Sequence, residues 1–175
     1  MQRRTFLLGG LAALVAGPRI LQAKIDSTPR HLSLFHTHTE ECLDVVYSKE
    51  RDLSPHTLAR LNHFLRDFRT DESARIDPRL FDTLYELKRR AGNPDGVIEI
   101  ISAYRSPQTN SKLRRKSKGV ARKSLHLKGK AVDIRLRGSA TSELRDVAIA
   151  MGRGGVGYYR RSDFIHLDTG QVRHW

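Results

Sequence analysis

Apolar and polar positions change period several times along the chain. His31–His36 and Leu43–Tyr47 are short runs rich in apolar and β-branched residues, predicting two strands joined as a hairpin through Thr39-Glu40-Glu41. Ser54-Pro55 then supplies an N-cap with Pro at the first helical position, and Leu58, Leu61, Leu65 and Phe68 recur at helical spacing, which predicts a helix over 54–69. Asp77-Pro78 repeats the start signal. Phe81, Leu84 and Leu87 form an apolar stripe, Lys88, Arg89 and Arg90 suit the negative end of the helix dipole, and Gly92 terminates a helix over 78–91. From Val97 the period shortens: Val97–Ser102, Ala131–Leu136, Gly155–Tyr159 and Phe164–Leu167 read as strands. One helical stretch interrupts them, Ser142–Met151, with Leu144, Val147, Ala148 and Met151 on one face. This order predicts an α+β domain built on a small antiparallel sheet with helices packed on it.

The first 23 residues follow a different logic. Arg3-Arg4 precedes a moderately apolar run from Thr5 to Gly17, 13 residues long, whereas a membrane-spanning helix needs roughly 20. The run has no polar face between Phe6 and Val15, so it reads as the core of an export signal, and the Arg pair resembles a twin-arginine signal. Residues 1–23 are therefore expected to direct export, with a candidate cleavage site after Ala23, imperfect because Leu21 stands third before the cut, and an uncleaved anchor as the alternative; residues 24–30, with Ser, Thr and Pro, are expected to form a tether. A location outside the cytoplasmic membrane, periplasmic or otherwise exported, follows from that reading, with membrane contact confined to the signal.

Composition narrows the rest. At 175 residues and 38% hydrophobic content, the chain suits one globular domain, placed at 31–175. The formal net charge is +13, and losing the three Arg of residues 1–23 leaves +10. A single cysteine, Cys42, excludes an internal disulfide, a Cys-rich zinc ribbon and a thiol redox pair, so any metal must be held by His and carboxylates.

The candidate chemistry lies where polar residues break the apolar pattern. His126 approaches the strand Ala131–Leu136, and Asp133 sits inside it among Ala131, Val132 and Ile134. A buried ionised carboxylate needs a partner, because removing an unpaired charge from water is very costly. His166 lies in a second apolar strand, and alternation puts it on one face with Phe164 and Asp168. A lone strand histidine is more often a packed side chain than a ligand, and Asp133 has many cations to pair with. Together, His126, Asp133 and His166 match the three protein ligands of a catalytic zinc site, whose fourth position is left to water.

The segment Ser124-x-His126-x-x-Gly129-x-Ala131-x-Asp133 resembles the signature of the D-Ala-D-Ala peptidase, VanX and hedgehog-type zinc fold. More closely, Tyr104-Arg105-Ser106-Pro107, Ser117–Ala121, Gly154–Tyr159, His166-x-Asp168-Thr169-Gly170 and Val172-Arg173-x-Trp175 resemble the YcbK/MepK-like murein endopeptidases, over about 31–175. The resemblance implies Zn2+ on His126, Asp133 and His166, and hydrolysis of stem-peptide cross-links in peptidoglycan, of L,D or D,D type. It also implies that Arg105 holds a substrate carboxylate, which a planar guanidinium can do with two parallel hydrogen bonds. Ser124 is expected to orient the metal shell or the substrate, and Tyr104 to line the cleft.

Two carboxylates compete for the role of general base. In VanX-like enzymes an acid stands three residues before the last ligand, and Asp163 occupies that place. Other members use a His two residues before it, where this chain has Phe164. Asp168 shares the strand face of His166, while alternation turns Asp163 away unless the chain bends, so Asp168 is favoured. It could equally hold an imidazole from behind.

His36 and His38 have no third ligand nearby and are expected to be ordinary strand residues. Seven cations between Lys112 and Lys123 could grip phosphate, but no aromatic is interleaved to stack bases, so a solvated loop attracted to the anionic wall is expected and no nucleic acid. The leading function is thus a zinc-dependent murein endopeptidase. A non-catalytic zinc or wall-binding module of the same fold is the alternative.

Overall fold

The computed structural model describes residues 29–47, 54–117 and 119–175. The expected export signal, and the tether as far as residue 28, lie outside the described residues.

Seven strands and four helices follow one another as β1 (Arg30–His36), β2 (Cys42–Tyr47), α1 (Pro55–Phe64), α2 (Pro78–Arg90), β3 (Ile98–Ser102), α3 (Pro107–Lys116), β4 (Ala131–Leu136), α4 (Thr141–Met151), β5 (Gly155–Tyr159), β6 (Phe164–Asp168) and β7 (Arg173–His174). The strands form one sheet in the order β2-β1-β3-β4-β6-β5-β7. The α+β class stands. The sheet is larger than expected and mixed, because β1 lies parallel to β3 and β7 parallel to β5. The long excursion through α1 and α2 lets β3 return beside β1 in the same direction, as a parallel pair requires.

Strand alternation gives the sheet two different faces. Val132, Ile134 and Leu136 of β4 and Ile165 and Leu167 of β6 join the core with Leu32, Leu34, Ile98 and Ile100. Helices α2 and α4 pack against each other and against this face. Leu80, Phe81, Leu84 and Leu87 are the buried stripe of α2, and Leu144 and Ala148 that of α4. Asp133, His166 and Asp168, at the alternate positions of β4 and β6, therefore project to the opposite face.

Three boundaries differ from expectation. Helix α1 ends at Phe64, well short of 69, because Asp67 is buried and turns its carboxylate onto the backbone N–H groups of Arg69 (3.1 Å) and Ser106 (2.8 Å). Leu65 and Phe68 continue the helical spacing of apolar residues but belong to a turn. Helix α3 was hidden by its composition: only Leu113 is a large apolar residue, so no stripe announces it. Its start signal, Ser106-Pro107, is of the kind that opens α1, with Ser106 Oγ accepting from the Thr109 N–H at 3.1 Å. The basic segment is thus part helix rather than a single loop. Finally, β1 opens at Arg30, within the expected tether, and the Arg30 guanidinium is buried against Asp82 at 2.7 Å.

A 3₁₀ turn, Leu125–Lys128, links α3 to β4 and carries His126. Ser124 caps it and Gly129 ends it at φ 62°, with the Gly129 carbonyl accepting from the Asp77 N–H at 2.8 Å. A Cβ at Gly129 would run into the Arg75 carbonyl. Gly129→Ala is expected to lower stability by about 2 kcal/mol, combining the left-handed conformation with that clash, read as the denaturant midpoint.

His36 ends β1 and packs edge-on against Phe64 and Phe68, and its Nδ1 accepts from the His38 N–H at 3.3 Å. His38 stacks on Phe68 from the following turn. Burial, reinforced by the charge of His38, lowers the His36 pKa to about 4. The unfolded chain, with an ordinary imidazole near 6.5, takes up the proton first, so stability is full above pH 6.5 and declines as pH falls towards 4. His36→Phe is expected to flatten that decline by about 2–3 kcal/mol across the window, measured by urea unfolding at stepped pH.

Candidate metal centre

Three elements converge on one point. Asp133 and His166 are direct cross-strand partners in the antiparallel β4–β6 ladder, so their side chains emerge side by side. The 3₁₀ turn delivers His126 over them. The three donors form a closed triangle: His126 Nε2 to Asp133 Oδ1 is 3.2 Å, His126 Nε2 to His166 Nδ1 is 3.2 Å, and His166 Nδ1 to Asp133 Oδ1 is 2.9 Å. Donors bonded at about 2.0 Å to one tetrahedral ion lie about 3.3 Å apart, so the triangle has the size of one face of a zinc tetrahedron. It is also the group of His, Asp and Glu side chains, among the described residues, that is disposed to hold a metal. All three residues are buried, at 2%, 4% and 8% exposure for His126, Asp133 and His166.

Each imidazole is oriented by the nitrogen that faces away from the triangle. His126 Nδ1 donates to the Ala103 carbonyl at 2.5 Å, leaving the Nε2 lone pair pointing inward. His166 is used the other way round: Nε2 donates to Asp168 Oδ2 at 3.1 Å and Nδ1 faces the triangle. Burial holds the His126 pKa below its ordinary value, which keeps the ring neutral. For His166 burial acts in the same sense, but hydrogen bonds to Asp133 and Asp168 outweigh it and the pKa rises. Burial likewise opposes the charge on Asp133, yet His126, His166 and Arg105 hold the carboxyl well below the usual carboxylate range. A divalent ion would satisfy the same negative charge.

The second layer is fully engaged. Asp168 Oδ1 accepts from the N–H groups of Gly155 (3.0 Å) and Gly170 (2.9 Å) and from Arg173 (3.2 Å), and Oδ2 accepts from His166 and from Arg173 (2.7 Å). These bonds outweigh burial and depress its pKa strongly. Asp163 is placed elsewhere. The chain does bend before β6, with Asp163 at φ 50°, but the bend sends its carboxylate to the Thr141 hydroxyl at 2.6 Å and towards Arg135. Arg105 ion-pairs with Asp133 through Nη2, and its Nε donates to Ser102 Oγ at 2.8 Å. Ser124 Oγ accepts from the His126 N–H at 3.3 Å, so it shapes the turn that carries this imidazole. Tyr104 packs against the core, with its phenol pushed up by burial near Glu72 and Asp67, and does not join the residues lining the cleft.

The triangle lies in a cleft of about 530 Å³. Its lining includes the cations Arg105, Lys123 and Arg173, with Gly119 and Val120 of the segment that follows α3. It also includes the aromatic residues Tyr159, Phe164 and Trp175. Sequence reasoning assigned no role to Arg173, Tyr159 or Trp175. The Val172-Arg173-x-Trp175 and Gly154–Tyr159 segments stood out as motifs, but their contact with the cluster depends on the pairing of β7 with β5.

Comparison with known proteins points to one family. Residues 24–175 match the family model described as peptidoglycan L,D-endopeptidase MepK. The peptidoglycan L,D-endopeptidases MepK of Escherichia coli (strain K12) and Shigella flexneri are each 44% identical to the chain over 99% of its length and 96% of theirs. The probable peptidoglycan L,D-endopeptidase MepK of Haemophilus influenzae is 39% identical over 99% of this chain and 95% of its own. No solved structure matches. With its His-Asp-His triangle and a match over nearly its whole length, the chain belongs to the peptidoglycan L,D-endopeptidase MepK family of metallopeptidases.

Proposed function

We propose that this protein is a zinc-dependent peptidoglycan endopeptidase that hydrolyses stem-peptide cross-links, with preference for the L,D bond type that its relatives' names specify. The observation that carries the reading is the donor triangle of His126, Asp133 and His166 on the floor of an open cleft. Export by the twin-arginine route, supported by Arg3-Arg4 and the apolar run after it, would bring the protein to this substrate.

A zinc ion held by His126, Asp133 and His166 would supply Lewis-acid activation of water and polarisation of the scissile carbonyl. The chain's own residues do the rest. Burial keeps His126 neutral, and Asp133 provides the single formal negative charge among the ligands. Arg105, braced by Ser102 and Asp133, presents a guanidinium at the cleft wall where a stem-peptide carboxylate can be held. Asp168 acts as a positioning residue, fixing the His166 ring so that Nδ1 faces inward; its five hydrogen bonds leave it poorly placed to accept a proton as the base. Asp163 serves the start of α4 through Thr141.

One observation favours the second reading, a zinc-binding wall module without catalysis: both carboxylates considered for the base are committed elsewhere. Cross-linked muropeptide dimers separate the two. The purified protein is expected to carry one zinc per chain by elemental analysis and to release monomers, faster from L,D than from D,D dimers. Chelator treatment and His126→Ala are each expected to reduce cleavage to background with loss of the metal. Zinc retained without any cleavage selects the module.

Asp168→Asn keeps the size of the side chain and removes its charge. Zinc affinity, measured by competition with a metal buffer, is expected to fall about 10- to 100-fold. A drop in kcat at unchanged zinc affinity would instead assign Asp168 to proton transfer.

A further inference from the structure

Trp175 is the single tryptophan of the chain and is 52% exposed, yet it is firmly seated. Its backbone N–H donates to Val156 O at 3.2 Å, its carbonyl accepts from the Tyr158 N–H at 3.0 Å, and its indole Nε1 donates to the Tyr159 hydroxyl at 3.3 Å. The ring lies 5.3 Å from that of His166, inclined at 47°, and the Arg173 guanidinium sits 5.1 Å from it.

Strand β5 is built to permit this. Gly157 is the cross-strand partner of His166, and a Cβ there would lie 2.7 Å from the indole. A Cβ at Gly155 would strike both Arg173 and the Asp168 carboxylate. The two glycines therefore open a track along which β7 lays Arg173 onto Asp168 and Trp175 beside His166. Tyr159 in turn stacks on Phe164 at 4.6 Å and 16°. The result is a continuous row of aromatic rings, Trp175-Tyr159-Phe164, in a cleft that Arg105 and Lys123 also line.

A large apolar ring held in one orientation and left half in water carries a hydration cost that a ligand would remove, and a rigid aromatic surface takes up an aliphatic chain with little entropy loss. Its face also attracts an ammonium group. Arg105 and Lys123 in the same cleft supply cations for carboxylates. We propose that Trp175, with Tyr159 and Phe164, forms a subsite that seats the aliphatic chain of a peptide residue ending in charged groups, the chemical class of diaminopimelate, and so determines specificity beside the metal centre. This rests on the reading of the triangle as a peptidase centre.

The lone indole is its own reporter. Zinc-loaded full-length protein is titrated with the stem tripeptide L-Ala-γ-D-Glu-diaminopimelate, with the dipeptide L-Ala-γ-D-Glu as control. The tripeptide is expected to give a saturable change in tryptophan fluorescence whose midpoint equals its inhibition constant, and the dipeptide to bind at least about tenfold more weakly, the scale of one lost aromatic contact. In muropeptide cleavage, Trp175→Ala is expected to raise KM about tenfold with kcat within about threefold and zinc content unchanged, and Trp175→Phe to fall between it and the wild type. Fluorescence that stays unmoved while the tripeptide inhibits, or a Trp175→Ala variant that loses kcat and zinc at constant KM, overturns the subsite alone. A protein whose fluorescence reports the tripeptide but which cleaves nothing overturns the peptidase reading and leaves the subsite standing.

Discussion

A charged carboxylate buried in the middle of a β-strand is the constraint around which this molecule is arranged. Asp133 is almost out of solvent, and its charge is tolerated because His126, His166 and Arg105 surround it. Removing one partner from such a group leaves an uncompensated buried charge, which costs several kcal/mol. The sheet answers this by dividing its faces. Apolar side chains of β4 and β6 meet α2 and α4 on one side, and the polar cluster occupies the other, so the alternation that builds the core also collects the site.

The two imidazoles of the triangle are held from behind by groups outside it. The Ala103 carbonyl, just past the end of β3, fixes one imidazole, and Asp168 fixes the other. Asp168 is held in turn by Arg173 and by two backbone N–H groups. A two-residue strand, β7, thereby contributes as directly to the centre as the central strands do. Such preorganisation limits the rearrangement needed when a cation enters.

The chain's positive charge also acquires a location. Of the cations of α3 and the segment after it, Lys123 lines the cleft, where it joins Arg105, Arg173 and the aromatic residues. A cleft lined by both cations and aromatic rings suits a ligand with both anionic and apolar parts, and the attraction of its cations is salt-dependent.

Much of this was legible along the chain. Proline start signals and apolar spacing located α1 and α2, β-rich runs located six of the seven described strands, and an acid inside an apolar strand, a histidine before it and another inside a second apolar strand, together with the motif resemblance, pointed to the triangle. These are local properties, set by side-chain period and by the cost of burying charge. What needed the tertiary structure was everything that depends on which strand lies beside which. The register that sets Asp133 opposite His166, the bend that carries Asp163 off to Thr141, and the parallel seat of β7 on β5 that engages Asp168 with Arg173 are long-range pairings. Period along a strand says which side a residue faces, but its partners are fixed only when distant segments meet, and it is those partners that decide which side chains form the triangle and which brace it from behind.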